Sequence, residues 1–134
     1  MKFPHFILCT SIAITSCAQA ESAPFEAIRL VCTYTHSLSQ GKSEATSGTE
    51  LFVIKHSPDG IAIIDKQNSP SFFIGSISTE EIRGEAETEI KGRVLREMVV
   101  INRYTGNLVS TFGVEGEDGL VHFGKCSQAG ERLF

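Results

Sequence analysis

The sequence has no tryptophan, only four cysteines and four prolines, and no surplus of positive charge. Each shortage excludes something. Twelve Lys and Arg face sixteen Asp and Glu, a net charge of −4. Nucleic acid and anionic lipid both require a basic face, so neither is an expected partner. No apolar run after the first twenty residues is long enough to cross a membrane as a helix. No Ser lies in a Gly-x-Ser-x-Gly elbow, and no two histidines stand at a short ligand spacing such as His-x-His. The sequence therefore offers no catalytic residues, no metal ligands and no cofactor motif.

What is present begins with an export signal. Lys2 supplies the positive start, Phe6 to Ile14 is an apolar stretch too short to span a bilayer, and Ala18-Gln19-Ala20 offers the small side chains a signal peptidase accepts. Cleavage is expected after Ala20, leaving residues 21–134 as a single domain with one modest core. Removing residues 1–20 removes Lys2 and no acid, which leaves 11 basic against 16 acidic residues and a formal charge of −5. A competing signal is Ile14-Thr15-Ser16-Cys17, which resembles a bacterial lipobox with Ile where Leu is commonest. Lipidation of Cys17 would anchor the protein to a membrane instead of releasing it into the periplasm or beyond.

Cys9 and Cys17 fall within the signal, leaving Cys32 and Cys126 as an even pair in an oxidising compartment. Free thiols or metal ligands are the alternative, but neither cysteine has a His or Cys nearby at ligand spacing. A Cys32–Cys126 disulfide is expected. It would close a loop over most of the mature chain, worth roughly 4 kcal/mol by chain entropy.

The mature chain reads as strands and turns. Ile28, Leu30, Cys32 and Tyr34 alternate with Arg29, Thr33 and Thr35, the period of a strand with Cys32 facing inward. Ser37 to Gly48 has no period and reads as a loop, with its ends extended. Leu51 to Ile54 and Ile61 to Ile64 are apolar at every position, which predicts strands lying centrally in a sheet. Between them, Pro58-Asp59-Gly60 is the clearest turn in the chain. Phe72 to Ile74 opens another strand, with Gly75 marked as a bulge or bend.

Glu80 to Lys91 fits two periods. At period two, Ile82, Gly84, Ala86, Thr88 and Ile90 oppose Glu81, Arg83, Glu85, Glu87 and Glu89. At period 3.6, Ser78 and Glu81 form a capping box and Ile82, Ala86 and Ile90 fall four apart. The period-two match covers all ten positions and Gly84 disfavours a helix, so a strand with a charged outer face is expected. Val94 to Tyr104, Leu108 to Phe112 and Leu120 to Cys126 follow as strands, and Phe134 is expected to cap the sheet. About eight short strands joined by hairpin turns imply an all-β fold: a small antiparallel up-and-down barrel or strongly coiled sheet, stapled by the disulfide. A two-sheet sandwich is the other solution.

The remaining polar candidates each have a plain structural explanation. His36 and His56 are expected at strand ends near water, and His122 in or beside the core. Glu115-Gly116-Glu117-Asp118-Gly119 lacks the spaced ligands of a calcium loop and reads as a turn. Asn102, Arg103 and Tyr104 stand apart as a polar-aromatic trio beside a turn, a contact surface of the kind that carries binding energy. Their structural alternative has Arg103 paired with an acid and Tyr104 packed at the barrel mouth.

The run Val100 to Leu108, followed by Gly124-Lys125-Cys126, resembles short exported proteobacterial proteins that share an I-[DN]-R-x-T-G-x-L strand-turn and a late G-x-C. The likeness covers about the last forty residues. It implies a secreted β domain and assigns no activity. The overall plan of signal, early cysteine, strands and late cysteine is also similar to periplasmic inhibitors of c-type lysozyme. Those carry a Ser-Gly-x-x-Tyr segment and a tryptophan-containing strand, and this chain has neither. Together these readings favour a non-enzymatic domain that binds a protein or envelope component. The alternatives are a barrel holding a small apolar ligand, suited to seven Phe in the mature chain, and a secreted inhibitor of a host or competitor hydrolase.

Overall fold

The computed structural model describes residues 26–67 and 72–129. The signal, Cys17 and the Phe134 cap expected from the sequence lie outside these residues. Nine strands follow one another: β1 (Glu26–Ser39), β2 (Lys42–Ala45), β3 (Thr49–His56), β4 (Ile61–Lys66), β5 (Phe72–Ile77), β6 (Glu81–Ile90), β7 (Arg93–Asn102), β8 (Asn107–Val114) and β9 (Leu120–Gln128). All pairings are antiparallel. From β3 onward each strand pairs with the next, and β9 returns to pair with β1, so eight strands close an up-and-down barrel. Closure satisfies the edges that an open sheet would leave unpaired.

The 14-residue β1 makes closure possible by serving different neighbours along its length. Residues 26–33 pair with β3 on one edge, and residues 30–39 pair with β9 on the other. Where β3 departs, β2 continues along the same edge from His36 to Ser39. The stretch expected as a loop is thus a hairpin. Gln40 and Gly41 both adopt positive φ (51° and 75°), the two-residue turn whose twist matches paired strands. A bulge between Tyr34 and His36 shifts the phase of β1, so Ser37 rather than His36 shares the inward row with Tyr34.

The Pro58 turn forms as expected: the Gly60 amide donates to the Ser57 carbonyl at 3.1 Å, and Gly60 takes φ 87°. Ser78 does cap backbone amides, accepting from Glu80 and Glu81 at 3.2 and 3.1 Å, but it closes the β5–β6 turn rather than starting a helix. Period two wins over Glu81–Ile90 because all ten residues pair with β7. Gly75 sits in register opposite Gly84 with no bulge, pressed against the Arg83 carbonyl where no side chain fits.

Alternate residues fill the interior. Leu30, Cys32, Phe52, Ile54, Ala62, Ile64, Phe73, Ile82, Val99, Ile101, Leu108 and Cys126 form one buried apolar cluster. Both faces of β3 and β4 were expected to be covered, because Leu51 to Ile54 and Ile61 to Ile64 are apolar throughout. The outer face of β4 meets water instead, with Ile61 and Ile63 exposed beside Phe72 and Ile74 of β5. A closed barrel has a covered inside but no second layer outside.

Candidate functional site

Cys32 and Cys126 are direct cross-strand partners on β1 and β9, and they form the expected disulfide with Cα atoms 4.0 Å apart. The bridge fastens the closing seam. Immediately beyond Cys126 lies the turn that carries Asn102, Arg103 and Tyr104, because the Cys126 amide donates to the Gly106 carbonyl at 2.7 Å.

That turn is held at both ends. The Asn102 side-chain oxygen accepts from the amides of Tyr104 (2.9 Å) and Thr105 (3.0 Å), and the Asn102 carbonyl accepts from Gly106 at 2.8 Å. The Thr105 hydroxyl accepts from the Asn107 amide at 3.1 Å. Gly106 has φ 77°, and a Cβ there would collide with the Cys126 carbonyl, so the position demands glycine twice over. Arg103 reaches across to the β5–β6 turn: its amide donates to the Glu80 carbonyl at 2.8 Å and its guanidinium to the Ser78 carbonyl at 2.6 Å. The structural alternative for this trio is therefore corrected on both counts. Arg103 binds backbone oxygens rather than an acid, and Tyr104 is 77% exposed rather than packed at the barrel mouth. Beneath the turn is a cavity of about 370 Å³, with buried Leu30, Ile82, Ile101 and Cys126 on one side and Asn102 to Gly106 on the other.

A second cluster occupies the other half of the barrel interior. The Tyr34 hydroxyl donates to Glu50 at 2.8 Å, and the other Glu50 oxygen pairs with Lys66 at 3.1 Å. The His122 ring meets the Tyr34 ring edge-on at a centroid distance of 5.2 Å. Ser110 stands opposite His122 in the β8–β9 ladder. Burial pushes the Tyr34 phenol well above its ordinary value, and the adjoining Glu50 carboxylate adds to the shift, with Ser110 acting in the opposite direction. Tyr34 is therefore a neutral donor at physiological pH, not a base. The cluster was not foreseen as a group, although Tyr34 had been placed in the inward row. The signal for the rest was present: Glu50 alternates with Phe52 and Ile54, which aims its carboxylate inward.

The histidines stay apart. His36 stacks on Phe123 outside the barrel, with centroids 4.6 Å apart and planes 10° from parallel. His56 lies level with Glu26 along β1, whereas His122 lies level with Ser37, near the other end of the same strand. Among the described residues no three His, Cys, Asp or Glu side chains group as metal ligands. In the acidic turn, Glu117 is bound by Arg93 of β7 at 2.9 Å. No described helix is long and apolar enough to cross a membrane.

Comparison with models of protein families, with curated protein sequences and with solved structures returned no match. The geometry alone therefore carries the functional argument.

Proposed function

We propose that this protein is an exported, non-enzymatic β domain that binds a protein or envelope component in the periplasm through the Asn102–Gly106 end of its barrel. The observation that carries this reading is the exposure of Tyr104 on a turn whose conformation is fixed by its neighbours. Tyrosine presents a large amphipathic surface with few rotatable bonds. An aromatic anchor held in place before binding loses little conformational freedom on docking, which is how a small surface reaches useful affinity. The Cys32–Cys126 bridge supports the reading from behind, since it lies one hydrogen bond from the turn and suits an oxidising compartment.

An apolar ligand inside the barrel is less well supported. Phe52, Ile54, Ile64, Phe73, Val99 and Leu108 fill the apolar half, and Tyr34, Glu50 and Lys66 hold the other half together with polar contacts. Inhibition of a hydrolase would use the same turn, with Tyr104 as the group entering the enzyme's cleft.

The test is a photo-crosslinking residue placed at position 104 in cells, with position 91 on the exposed β6–β7 turn as control. A discrete adduct from 104 alone, identified by mass spectrometry, is expected. Equal labelling from both positions, or none from 104, would remove the basis for this surface.

A further inference from the structure

The outer wall of the barrel is charged along β6, and the apolar residues it carries on other strands, among them Val31, Val53, Val100 and Phe123, are half-buried. Arg29, Thr33 and Thr35 face outward on β1, and Arg83, Glu85, Glu87 and Glu89 on β6. The β4–β5 hairpin is different. Ile61, Phe72 and Ile74 are 57%, 52% and 59% exposed, and Ile63 joins them at 37%. These four residues lie on two adjacent strands and make one contiguous patch, with Ile63 directly opposite Ile74. Contiguous exposed apolar surface of this kind marks a contact site.

The register shows what flanks it. Lys55 of β3 pairs with Ile63, Ile63 with Ile74, and Ile74 with Glu85 of β6. One straight row across four strands therefore reads positive, apolar, apolar, negative. Lys55 and Glu85 are both exposed, and neither makes a salt bridge or side-chain hydrogen bond among the described residues. A row with opposite charges at its two ends is complementary to itself when reversed. A twofold axis parallel to the strands performs that reversal, setting Lys55 of each copy against Glu85 of the other and the isoleucines together in the middle. A twofold axis along the row would instead place Lys55 on Lys55 and Glu85 on Glu85.

We propose that the outer face of β4 and β5 is the contact between two copies of this chain, related by a twofold axis parallel to the strands. The contact is isologous, as in most homodimers, with an apolar centre and a charged rim. It is only one hairpin wide at its apolar core, so the dimer dissociates on dilution. A position along the axis is unchanged by the rotation, so the two Tyr104 turns sit at the same height along it, while the barrel axes, inclined to their strands, cross. A dimer would then engage a repetitive envelope surface with two sites at once, a corollary that rests on the function proposed above.

Sedimentation velocity over a concentration series of the exported, purified protein tests the contact. Wild type is expected to pass from monomer to dimer, and Ile74→Glu to raise the dissociation constant by an order of magnitude or more. Lys55→Glu and Glu85→Lys are each expected to weaken the dimer, and the double variant Lys55→Glu/Glu85→Lys to recover most of the lost affinity. That recovery depends on the axis and cannot arise from misfolding. A wild type that stays monomeric throughout overturns the proposal, as does a dimer indifferent to Ile74→Glu. Binding of monomer to phosphatidylethanolamine/phosphatidylglycerol vesicles, lost in Ile74→Glu, would also overturn it by assigning the patch to a membrane surface. Loss of the dimer leaves crosslinking from position 104 unaffected, so the two readings fail separately.

Discussion

Tyr34 and Glu50 are joined by a 2.8 Å hydrogen bond across the interior of the barrel, from the strand that closes it to the neighbouring strand. The bond is part of a short polar chain that continues from Glu50 to Lys66 on β4. It allows half of the interior to be polar without leaving a buried side chain unpaired, and among the described residues none is unpaired.

Alkaline pH should expose this arrangement. Below about pH 10 the Tyr34 phenol is protonated in both the folded and the unfolded chain, and its contribution to stability is fully present. Above that pH the unfolded chain releases the proton while the folded chain, with its raised value, keeps it. Stability therefore falls as pH rises from about 10 toward the folded value. Denaturant unfolding between pH 8 and 11 is expected to show this decline in wild type and a shallower one in Tyr34→Phe. Parallel declines in the two proteins would mean that Tyr34 titrates alike in both states.

The disulfide makes a larger contribution. Cys32 and Cys126 are separated by 94 residues and sit where β1 meets β9. Replacing both with Ser removes a cross-link that restricts the whole unfolded chain, at a cost of about 4 kcal/mol in the entropic account. Urea unfolding of the double variant should give a midpoint well below wild type, and reduced wild type should match it. A loss under about 1 kcal/mol would indicate that the barrel seam holds through its backbone ladder alone.

These residues also show what a sequence can reveal. Alternation from Ile28 to Tyr34 and from Glu81 to Ile90 is legible because one face of each strand is wet and the other packed. Pro58 and Gly60 are legible because turn backbone conformations demand them. The β1–β2 hairpin was hidden for physical reasons. Every residue of β2 is exposed, so it has no apolar alternation, and the bulge after Tyr34 breaks the phase in β1. The apolar outer face of β4 was misleading for a related reason: continuous hydrophobicity normally signals cover on both sides, and here it forms an exposed patch. For Tyr104 the sequence left exposure and packing at the barrel mouth both open, and the Arg103 reach to the Ser78 carbonyl, 25 residues away, was not legible.

Gly106 is expected to be intolerant. Ala would require both a left-handed backbone and space occupied by the Cys126 carbonyl. Gly106→Ala should cost on the order of 1–3 kcal/mol, because strain and steric overlap act together. Thermal unfolding measures it, with Gly92→Ala as a comparison: Gly92 has the same φ of 77° but open space around its Cα. The excess loss at Gly106 isolates the collision from the backbone strain.

Tyr104 and Asn102 should separate the contact from the scaffold that presents it. Tyr104 is largely in water, and its side chain makes no hydrogen bond among the described residues. Tyr104→Ala should therefore leave stability within about 0.5 kcal/mol of wild type. Asn102→Ala removes the acceptor for two turn amides, and stability should fall by roughly 1–2 kcal/mol. Both variants should nonetheless lose partner capture, the first by deleting the anchor and the second by releasing the turn that fixes it. Retention of capture by Tyr104→Ala together with its loss in Asn102→Ala would move the contact from the aromatic ring to the turn backbone. The cavity bordered by Ile82 and Ile101 would then be the surface to probe next.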